Sequence, residues 1–406
     1  MKKILIGISI LLCVGMVIWF FFFQGNVEQN NTPTKSDTSS SIFPFGEGNI
    51  VKTKPQKPKT SDISEVNKTP DQEYLPILRK IWDKPVAGGV IFDDGKSTKI
   101  RFVERSTGHI YETEKYLPKT TRLSNTTIPR VGEALWQNDG SKVLLRYLRD
   151  DNETIRTFSG IVPTTTNSTI DGVFLADNIQ SPALFKDKIA YITTSVDGAT
   201  VITANMDGTK KTAIFTSPSN EWEISWTNPN SLALWSSPSI VSPGALYSLN
   251  TTKGTYNRVA SEVYGGEGKL NKNGSLMLIT GSKNSGLGTA VFDVKSGDKK
   301  VLDIGTVVDK CTWSPIATST VYCAVPDTLT QGNYPDDWYQ GLISTGDSVW
   351  RIDTITGSKE RIFSPTKTEL EDPIDVTHLT INNKGDTLLF MNKKDQTLWS
   401  YDIYAF

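Results

Sequence analysis

The stretch WQNDGSKVLLRY, residues 136–147, places a tryptophan, a polar turn and an apolar run in immediate succession. Its Asp-Gly pair suits a tight hairpin, because such turns need residues that accept a positive φ. The run that follows has the length and composition of one buried strand. This stretch therefore predicts two antiparallel strands joined by a short turn.

The same arrangement recurs along the chain, for example as WTNPNSLALW, LNKNGSLMLIT and INNKGDTLLFM. The apolar residues that precede these turns are spaced by 44, 49, 41, 44, 43 and 68 residues, and they are Phe92, Trp136, Phe185, Trp226, Leu270, Trp313 and Ile381. A second repeated element, as in VFDVKSG and VWRIDTITG, leads into a further strand such as KKVLDI or KERIF. Four strands in a unit of this length are typical of a β-propeller blade.

The sequence therefore predicts an all-β fold, with one β-propeller over residues 85–406. Seven landmarks indicate seven four-stranded blades. Six or eight blades stay open as alternatives, since the first unit matches the repeat least well. No long helical period competes with the strand pattern beyond residue 85.

The repeats resemble those of TolB-type, WD40-like propellers, whose blades carry a W-S-x-D-G turn before an apolar strand. The nearest copies here are WQNDGS, WSPIAT and INNKGD. The Gly-His and Trp-Asp pairs of true WD40 blades are missing. The resemblance covers about 320 residues and implies the architecture; such propellers are usually binding platforms, although the class includes enzymes. The layout is also similar to that of bacterial envelope propellers with one N-terminal anchor.

The N-terminus predicts a membrane anchor. Residues 1–3 are MKK, and residues 4–23 form an uncharged apolar run that would span about 30 Å as a helix. Phe23 stands where a signal peptide would need a small residue, so we expect the segment to stay uncleaved. Lys2 and Lys3 favour a cytoplasmic tip. We therefore expect a single-pass cell-membrane protein, bound to the bilayer through residues 4–23, with its propeller outside the cytoplasm.

The residues between the anchor and the propeller predict a stalk. Residues 24–69 are rich in Ser, Thr, Asn, Pro and Lys, a composition that favours disorder. Residues 70–84 follow Thr69 as a candidate N-cap, and they predict a short helix or lead-in. The last repeat offers three strands only. We expect an N-terminal segment around residues 43–51 to supply its fourth strand and close the ring.

Two cysteines predict a disulfide bond. Cys311 and Cys323 flank the turn of KCTWSPIATSTVYCAV, and a hairpin centred on Ala317 would place them directly opposite each other. An extracytoplasmic location would permit oxidation. Two buried free thiols are the alternative. No further cysteine or nearby histidine completes a metal site, and we expect neither a metal nor another cofactor.

Charge and catalytic motifs give little support to other functions. Lys plus Arg total 43 and Asp plus Glu total 44, a balance that argues against binding to nucleic acid. His109 and His378 are far apart in sequence, and no nucleophile elbow is present. The acid pairs 93–94 and 150–151 begin turns, which explains them better than catalysis does. A pair of adjacent acids, including 336–337, is not itself a catalytic pair, because neighbouring residues on a strand point to opposite faces. We assign no catalytic residue.

The long interval between Trp313 and Ile381 contains VPDTLTQGNYPDDWYQGLISTGD, an insertion between the second and third strands of the sixth blade. Its acids and aromatic residues are the candidate binding residues, namely Tyr334, Asp336, Asp337, Trp338 and Tyr339. The alternative is that the aromatic residues fold back and plug the central channel. We expect a non-catalytic binding or scaffolding module of the cell envelope, with an envelope protein or a glycan as its partner. The alternative function is an envelope hydrolase, of glycosidase or lactonase type, that uses acids at the propeller mouth.

Overall fold

The computed structural model of the chain describes residues 76–283, 286–364 and 372–404. The predicted tip, anchor and stalk lie outside these residues. Within the described ranges no helix is long and apolar enough to cross a membrane.

The described chain folds into seven antiparallel sheets of four strands each. One strand, β1 (Leu78–Trp82), precedes the repeats. The strands of blades 1 to 3 are, in order, β2 (Val86–Asp93), β3 (Thr98–Glu104), β4 (Ile110–Glu114), β5 (Thr120–Arg122), β6 (Val131–Trp136), β7 (Lys142–Leu148), β8 (Ile155–Ile161), β9 (Asp171–Phe174), β10 (Gln180–Phe185), β11 (Lys188–Ser195), β12 (Gly198–Asn205) and β13 (Thr212–Ser217). Those of blades 4 to 7 are β14 (Trp222–Ser225), β15 (Ser231–Ser236), β16 (Pro243–Asn250), β17 (Tyr256–Tyr264), β18 (Glu267–Leu270), β19 (Leu276–Lys283), β20 (Gly286–Asp293), β21 (Lys299–Leu302), β22 (Cys311–Trp313), β23 (Thr320–Pro326), β24 (Asp347–Asp353), β25 (Lys359–Phe363), β26 (Val376–Ile381), β27 (Thr387–Asn392) and β28 (Leu398–Asp402).

The first strands of the seven blades form the innermost ring. Contacts run from β2 to β6, β10, β14 and β18, then through the 3₁₀ turn at Val308–Lys310 and β22 to β26, and from β26 back to β2. Apolar clusters fill the spaces between neighbouring sheets. Phe92 and Trp136 share one such cluster, and the Trp136 indole donates a hydrogen bond to the Gly88 carbonyl of the neighbouring blade at 3.2 Å. The prediction of an all-β propeller with seven blades is confirmed.

The turn in residues 136–147 shows why the repeat carries a glycine. Asp139 Oδ1 accepts a hydrogen bond from the Ser141 amide at 2.9 Å, and Gly140 takes a φ of +70°. A Cβ on Gly140 would stand 2.5 Å from the Phe92 ring of the preceding blade. The glycine therefore serves both the turn and the packing between blades.

Strand β1 closes the ring by pairing antiparallel with β28 at the outer edge of the last blade. Closure by an N-terminal strand is as expected, but its assignment to residues 43–51 is wrong, and residues 78–82 of the predicted helix are strand. The open edge of β28 offers backbone partners that outweigh local helix signals. Arg79 adds to this, because its guanidinium donates to the Glu114 carbonyl of blade 1 at 3.0 Å.

The disulfide prediction is confirmed. Cys311 and Cys323 are direct partners across β22 and β23, their Cα atoms are 4.1 Å apart, and the two sulfurs are bonded. Both residues are fully buried in the apolar cluster between blades 5 and 6. The bond therefore fixes the first hairpin of blade 6, which is the blade that carries the insertion.

Candidate functional site

The insertion occupies residues 327–346, between β23 and β24 as predicted, and contains one short helix, α1 (Asp336–Tyr339). It reaches over two neighbouring blades. Asp336 Oδ2 accepts a hydrogen bond from the Ile240 amide of blade 4 at 3.1 Å, and the Ser282 hydroxyl of blade 5 donates to the Tyr334 carbonyl. The insertion, Ile240 and Ser282 each lie at or just after the end of the second strand of a blade. The connections from second to third strands emerge on one face of the propeller, here called the insertion face.

Two aromatic residues anchor the insertion. Tyr334 and Trp338 are 1% and 2% exposed, and they form an apolar cluster with Val307. The Trp338 indole donates to Asp375 of blade 7 at 3.1 Å, and the ammonium of Lys310 lies 4.9 Å from the centre of its ring. Trp338 thus joins the insertion to a buried charged group that blades 6 and 7 share.

That group consists of Lys310 between two aspartates. Its Nζ lies 2.5 Å from Asp347 Oδ2 and 2.7 Å from Asp375 Oδ1, and all three side chains are at most 1% exposed. Thr345 completes the set by donating its hydroxyl to Asp347 at 2.9 Å and its amide to Asp375 at 3.1 Å. Burial raises the pKa of Asp347, whereas the Lys310 ammonium and several donors hold that of Asp375 below its ordinary value despite burial.

Beneath α1, several acids converge on Tyr339 from the inner strands. Burial raises the Tyr339 pKa well above its ordinary value, and the nearby carboxylates of Asp309 and Glu267 raise it further. The residue is nevertheless 40% exposed, and the acids that act on it include Glu267 and Glu223 of the innermost strands. Tyr339 therefore projects from the insertion toward the central channel.

Glu267 is the most perturbed of these acids. Burial, followed by repulsion from Asp309, raises its pKa to about 8. Its Oε2 accepts weak hydrogen bonds from the Val308 amide at 3.2 Å and from the Thr280 hydroxyl at 3.3 Å. The side chain is only 3% exposed. Glu267 is therefore protonated at neutral pH, so it adds no negative charge beside Asp309 at the mouth of the channel.

The raised pKa of Glu267 predicts that stability depends on pH. Because the folded pKa of about 8 exceeds the ordinary value of 4.5, the folded state holds more protons than the unfolded state between these values. Raising the pH from 5 to 8 should then lower the free energy of unfolding of the wild type, relative to Glu267→Gln, by at least about 1 kcal/mol. Urea unfolding at a series of pH values measures this difference.

The exposed pair of Arg351 and Glu360 offers the matched control, since Glu360→Gln removes a carboxyl that is 61% exposed. That variant should follow the wild-type pH profile. Parallel curves for wild type and Glu267→Gln would show that Glu267 is already ionised at neutral pH, and the assignment would be wrong.

The remaining predicted residues have local roles. Asp337 Oδ2 accepts from the Asn333 amide at 2.8 Å, which fixes the turn before α1. The acid pairs 93–94 and 150–151 lie at turns as expected. Asp94 Oδ1 accepts from the Ser97 amide at 2.9 Å, and Asp151 Oδ1 accepts from the Thr154 amide at 2.8 Å. These backbone donors lower the pKa of both groups, that of Asp151 to about 2.

The two histidines do not meet. His109 contacts the Thr127 hydroxyl at 3.2 Å, and His378 contacts the hydroxyl of its neighbour Thr377 at 3.1 Å. Within the described ranges, no group of three or more His, Cys, Asp or Glu side chains is arranged to hold a metal ion.

The acidic residues of the innermost strands and the buried Lys310 were not identified from the sequence as site residues. A signal was present: Glu133, Glu223 and Glu267 each stand three residues before a landmark, namely Trp136, Trp226 and Leu270. Residues at one position of a repeat occupy one place in each blade, so this recurrence indicates a common location around the channel. Lys310 falls at the same position in blade 6, three residues before Trp313.

Apolar side chains are exposed on and beside the insertion. Leu342 and Leu329 belong to the insertion, Val241 follows the Ile240 that contacts Asp336, and Tyr264 ends β17 on the same face. Leu342 is 71% exposed and Val241 is 87% exposed. Exposed apolar side chains of this kind mark interaction surfaces when they gather in one region.

Comparisons with solved structures agree with this architecture. An oligogalacturonate lyase from Vibrio parahaemolyticus matches with a TM-score of 0.53 at 9% identity, over 80% of this chain and 93% of that one. The chain is a seven-bladed β-propeller. A puromycin-hydrolysing peptidase from Mycobacterium tuberculosis matches with a TM-score of 0.48 at 16% identity, over 78% of this chain. This chain spans about half of that peptidase, 53% of its length.

TolB from Acinetobacter baumannii is also among the similar structures, with a TM-score of 0.44 at 12% identity, over 67% of this chain and 65% of that one. The predicted resemblance to TolB-type and WD40-like propellers is confirmed as a likeness of fold, since the described chain forms seven four-stranded sheets. The sequence matches no protein-family model and no curated protein sequence. At sequence identities this low, the similarity shows the fold alone, and function must be inferred from the residues of this chain.

Proposed function

We propose that this protein is a non-catalytic binding module of the cell envelope, held in the membrane by residues 4–23 and engaging a partner protein through its insertion face. The proposal rests on the insertion, which is anchored by buried residues and exposes apolar side chains on its outer side. Its buried Tyr334 and Trp338 hold it across the inner strands, while Leu342 and the neighbouring Val241 stay exposed. An anchored loop with exposed apolar side chains suits docking, because little ordering entropy is lost on binding.

The same geometry argues against chemistry at the mouth. A general acid or base must come within hydrogen-bond distance of its substrate. Glu267 is only 3% exposed and lies beside Tyr339, beneath the insertion. Because this carboxyl is buried, a substrate could contact it only after the residues around it had moved.

One observation favours the hydrolase alternative. The pKa of Glu267 is raised to about 8, and the nearby Glu223 also has a raised pKa because of burial. Buried carboxyls with raised pKa values are candidates for general-acid catalysis. If the chain were such an enzyme, Glu267→Gln would abolish its hydrolytic activity. For a binding module, the same variant keeps partner binding.

The docking proposal is tested by reversing the polarity of the exposed face. Val241→Asp together with Leu342→Asp should reduce partner recovery at least about tenfold in proximity labelling of the intact membrane protein, since about 1.4 kcal/mol of lost binding is sufficient for that change. The control is the pair Ile316→Asp and Ile355→Asp. These residues are 67% and 70% exposed but lie in turns at the opposite face.

The controls should label the wild-type partners at the wild-type level. If both double variants reduced partner labelling equally, the reduction would come from adding charge to the surface and not from these two positions. Unchanged labelling from the Val241 and Leu342 variant would overturn the insertion face as the docking surface.

A further inference from the structure

The outer part of the ring carries an aromatic groove that the insertion face does not include. It lies between β13, the outermost strand of blade 3, and the sheet of blade 4, and it has a volume of about 550 Å³. This volume falls within the range of ~300–1,000 Å³ that is usual for ligand pockets. The groove therefore has the size of a binding site.

Four aromatic rings form a closed circuit in this groove. Phe215 contacts Trp222 and Tyr256, with ring centres 5.6 Å apart in each case. Tyr247 contacts Trp222 at 6.0 Å and Tyr256 at 5.6 Å. Tyr256 is 60% exposed and the other three are half-buried. Mutual edge contacts hold the rings in place, so the faces that remain open are rigid.

The polar groups of the groove are all uncharged. None of its ten lining residues is Asp, Glu, Lys, Arg or His. Within the described part of the chain, the hydroxyls of Tyr247 and Tyr256 have no hydrogen-bond partner, and the Trp222 indole donates to the Ser219 carbonyl at 3.1 Å. The ten lining residues thus combine open ring faces with free hydroxyls, and none of them offers a counter-ion to a charged ligand. Arg258, the cross-strand partner of Tyr247, stands beside the groove but is not among these residues.

We propose that this groove binds a neutral saccharide chain. A sugar ring presents an apolar C–H face to an aromatic ring and hydroxyls to Tyr247, Tyr256 and Thr216. A purely aliphatic ligand would leave those hydroxyls without partners, which costs free energy. Single-stranded nucleic acid also stacks on aromatic side chains, but its phosphates require a basic groove.

An added peptide strand fits less well. Peptides often bind by extending the open edge of a sheet, which here is the outer edge of β13. The turn before β17 covers part of that edge: a Cβ on Gly254 would stand 2.7 Å from the Ile214 carbonyl oxygen. This approach divides the six-residue strand at Ile214, so the longest free run along its edge is Phe215 to Ser217, which is too short for a stable strand pair.

The test uses the full chain in phosphatidylcholine nanodiscs, which contain no sugar-headed detergent. Cellohexaose, chitohexaose and maltohexaose are titrated calorimetrically, alongside hexagalacturonate, a dT10 oligonucleotide and a proline-rich decapeptide. At least one neutral hexasaccharide should bind at concentrations up to about 10 mM, and Tyr256→Ala should weaken that binding at least about tenfold. Trp222→Phe keeps a stacking ring and should weaken it less.

Tyr116→Ala is the matched control, because Tyr116 is 58% exposed on another blade. It should leave saccharide affinity unchanged, and the melting temperature of each variant confirms that it has folded. The proposal is overturned if no neutral hexasaccharide binds, if binding survives Tyr256→Ala, or if the peptide, dT10 or hexagalacturonate is the probe that depends on Tyr256. None of these outcomes bears on docking at the insertion face, so the two proposals fail independently.

Discussion

Replacing Lys310 with methionine is expected to lower the free energy of unfolding by about 3–5 kcal/mol, because it leaves two buried carboxylates without their cation. Asp347 and Asp375 are both 0% exposed, and each lies within 2.7 Å of the Lys310 ammonium. Methionine keeps much of the side-chain length and volume, so the loss reports on charge more than on packing. Chemical denaturation monitored by circular dichroism measures it.

The destabilisation should itself depend on pH. Without Lys310 the two aspartates repel each other and their pKa values rise, so protonation at low pH neutralises them. The variant should therefore be closer to the wild type at pH 5 than at pH 8. Adding Asp347→Asn and Asp375→Asn should restore part of the lost stability at pH 8, because the buried charges are then removed together.

An exposed ion pair provides the comparison. Lys359 bonds Asp303 at 2.7 Å, with the two side chains 37% and 100% exposed. Lys359→Met should cost less than about 1 kcal/mol, since water screens the pair. If the two lysine variants lost equal stability, or if the Lys310 variant showed no dependence on pH, the loss would not come from unpaired buried carboxylates, and the prediction would be wrong.

The fold was predictable because it repeats. A turn such as the one at Asp139 and Gly140 depends only on residues close in sequence. The strand–turn–strand pattern recurs seven times, and each recurrence marks one blade. The pairing of Cys311 with Cys323 followed from the same locality, since both belong to one hairpin. Where a contact joins distant parts of the chain, local signals were not sufficient. The closing strand β1 carries a helix-like cap in its sequence, and only the open edge of β28 explains its extended conformation.

The candidate site was predictable in location only. The length and composition of the insertion indicated a functional loop. The burial of Trp338, however, depends on Asp375, which lies 37 residues further along the chain. Lys310 looked like any surface lysine until blades 6 and 7 brought two aspartates to it. Buried groups of this kind form through contacts between blades, and the sequence of a single repeat does not contain those contacts.

Trp338→Ala is expected to release the insertion and to lower the free energy of unfolding by about 3–5 kcal/mol, through the cavity left by a buried indole. Trp338 is 2% exposed, and its indole donates to Asp375 at 3.1 Å. Trp338→Phe keeps an aromatic ring but removes this donor, so it should cost about 1–3 kcal/mol. Denaturation of both variants beside the wild type separates the packing of the ring from its hydrogen bond.

Release of the insertion should also change the titration of Glu267. In the wild type this carboxyl has a pKa of about 8, chiefly because of burial. Once α1 withdraws and water enters the mouth, desolvation weakens and the pKa should fall toward its ordinary value. Trp338→Ala should therefore lose the decline in stability between pH 5 and 8, whereas Trp338→Phe should retain it. A Trp338→Ala protein with wild-type stability and a wild-type pH profile would show that the mouth stays covered without this anchor, and the insertion would then be held by its contacts with blades 4 and 5.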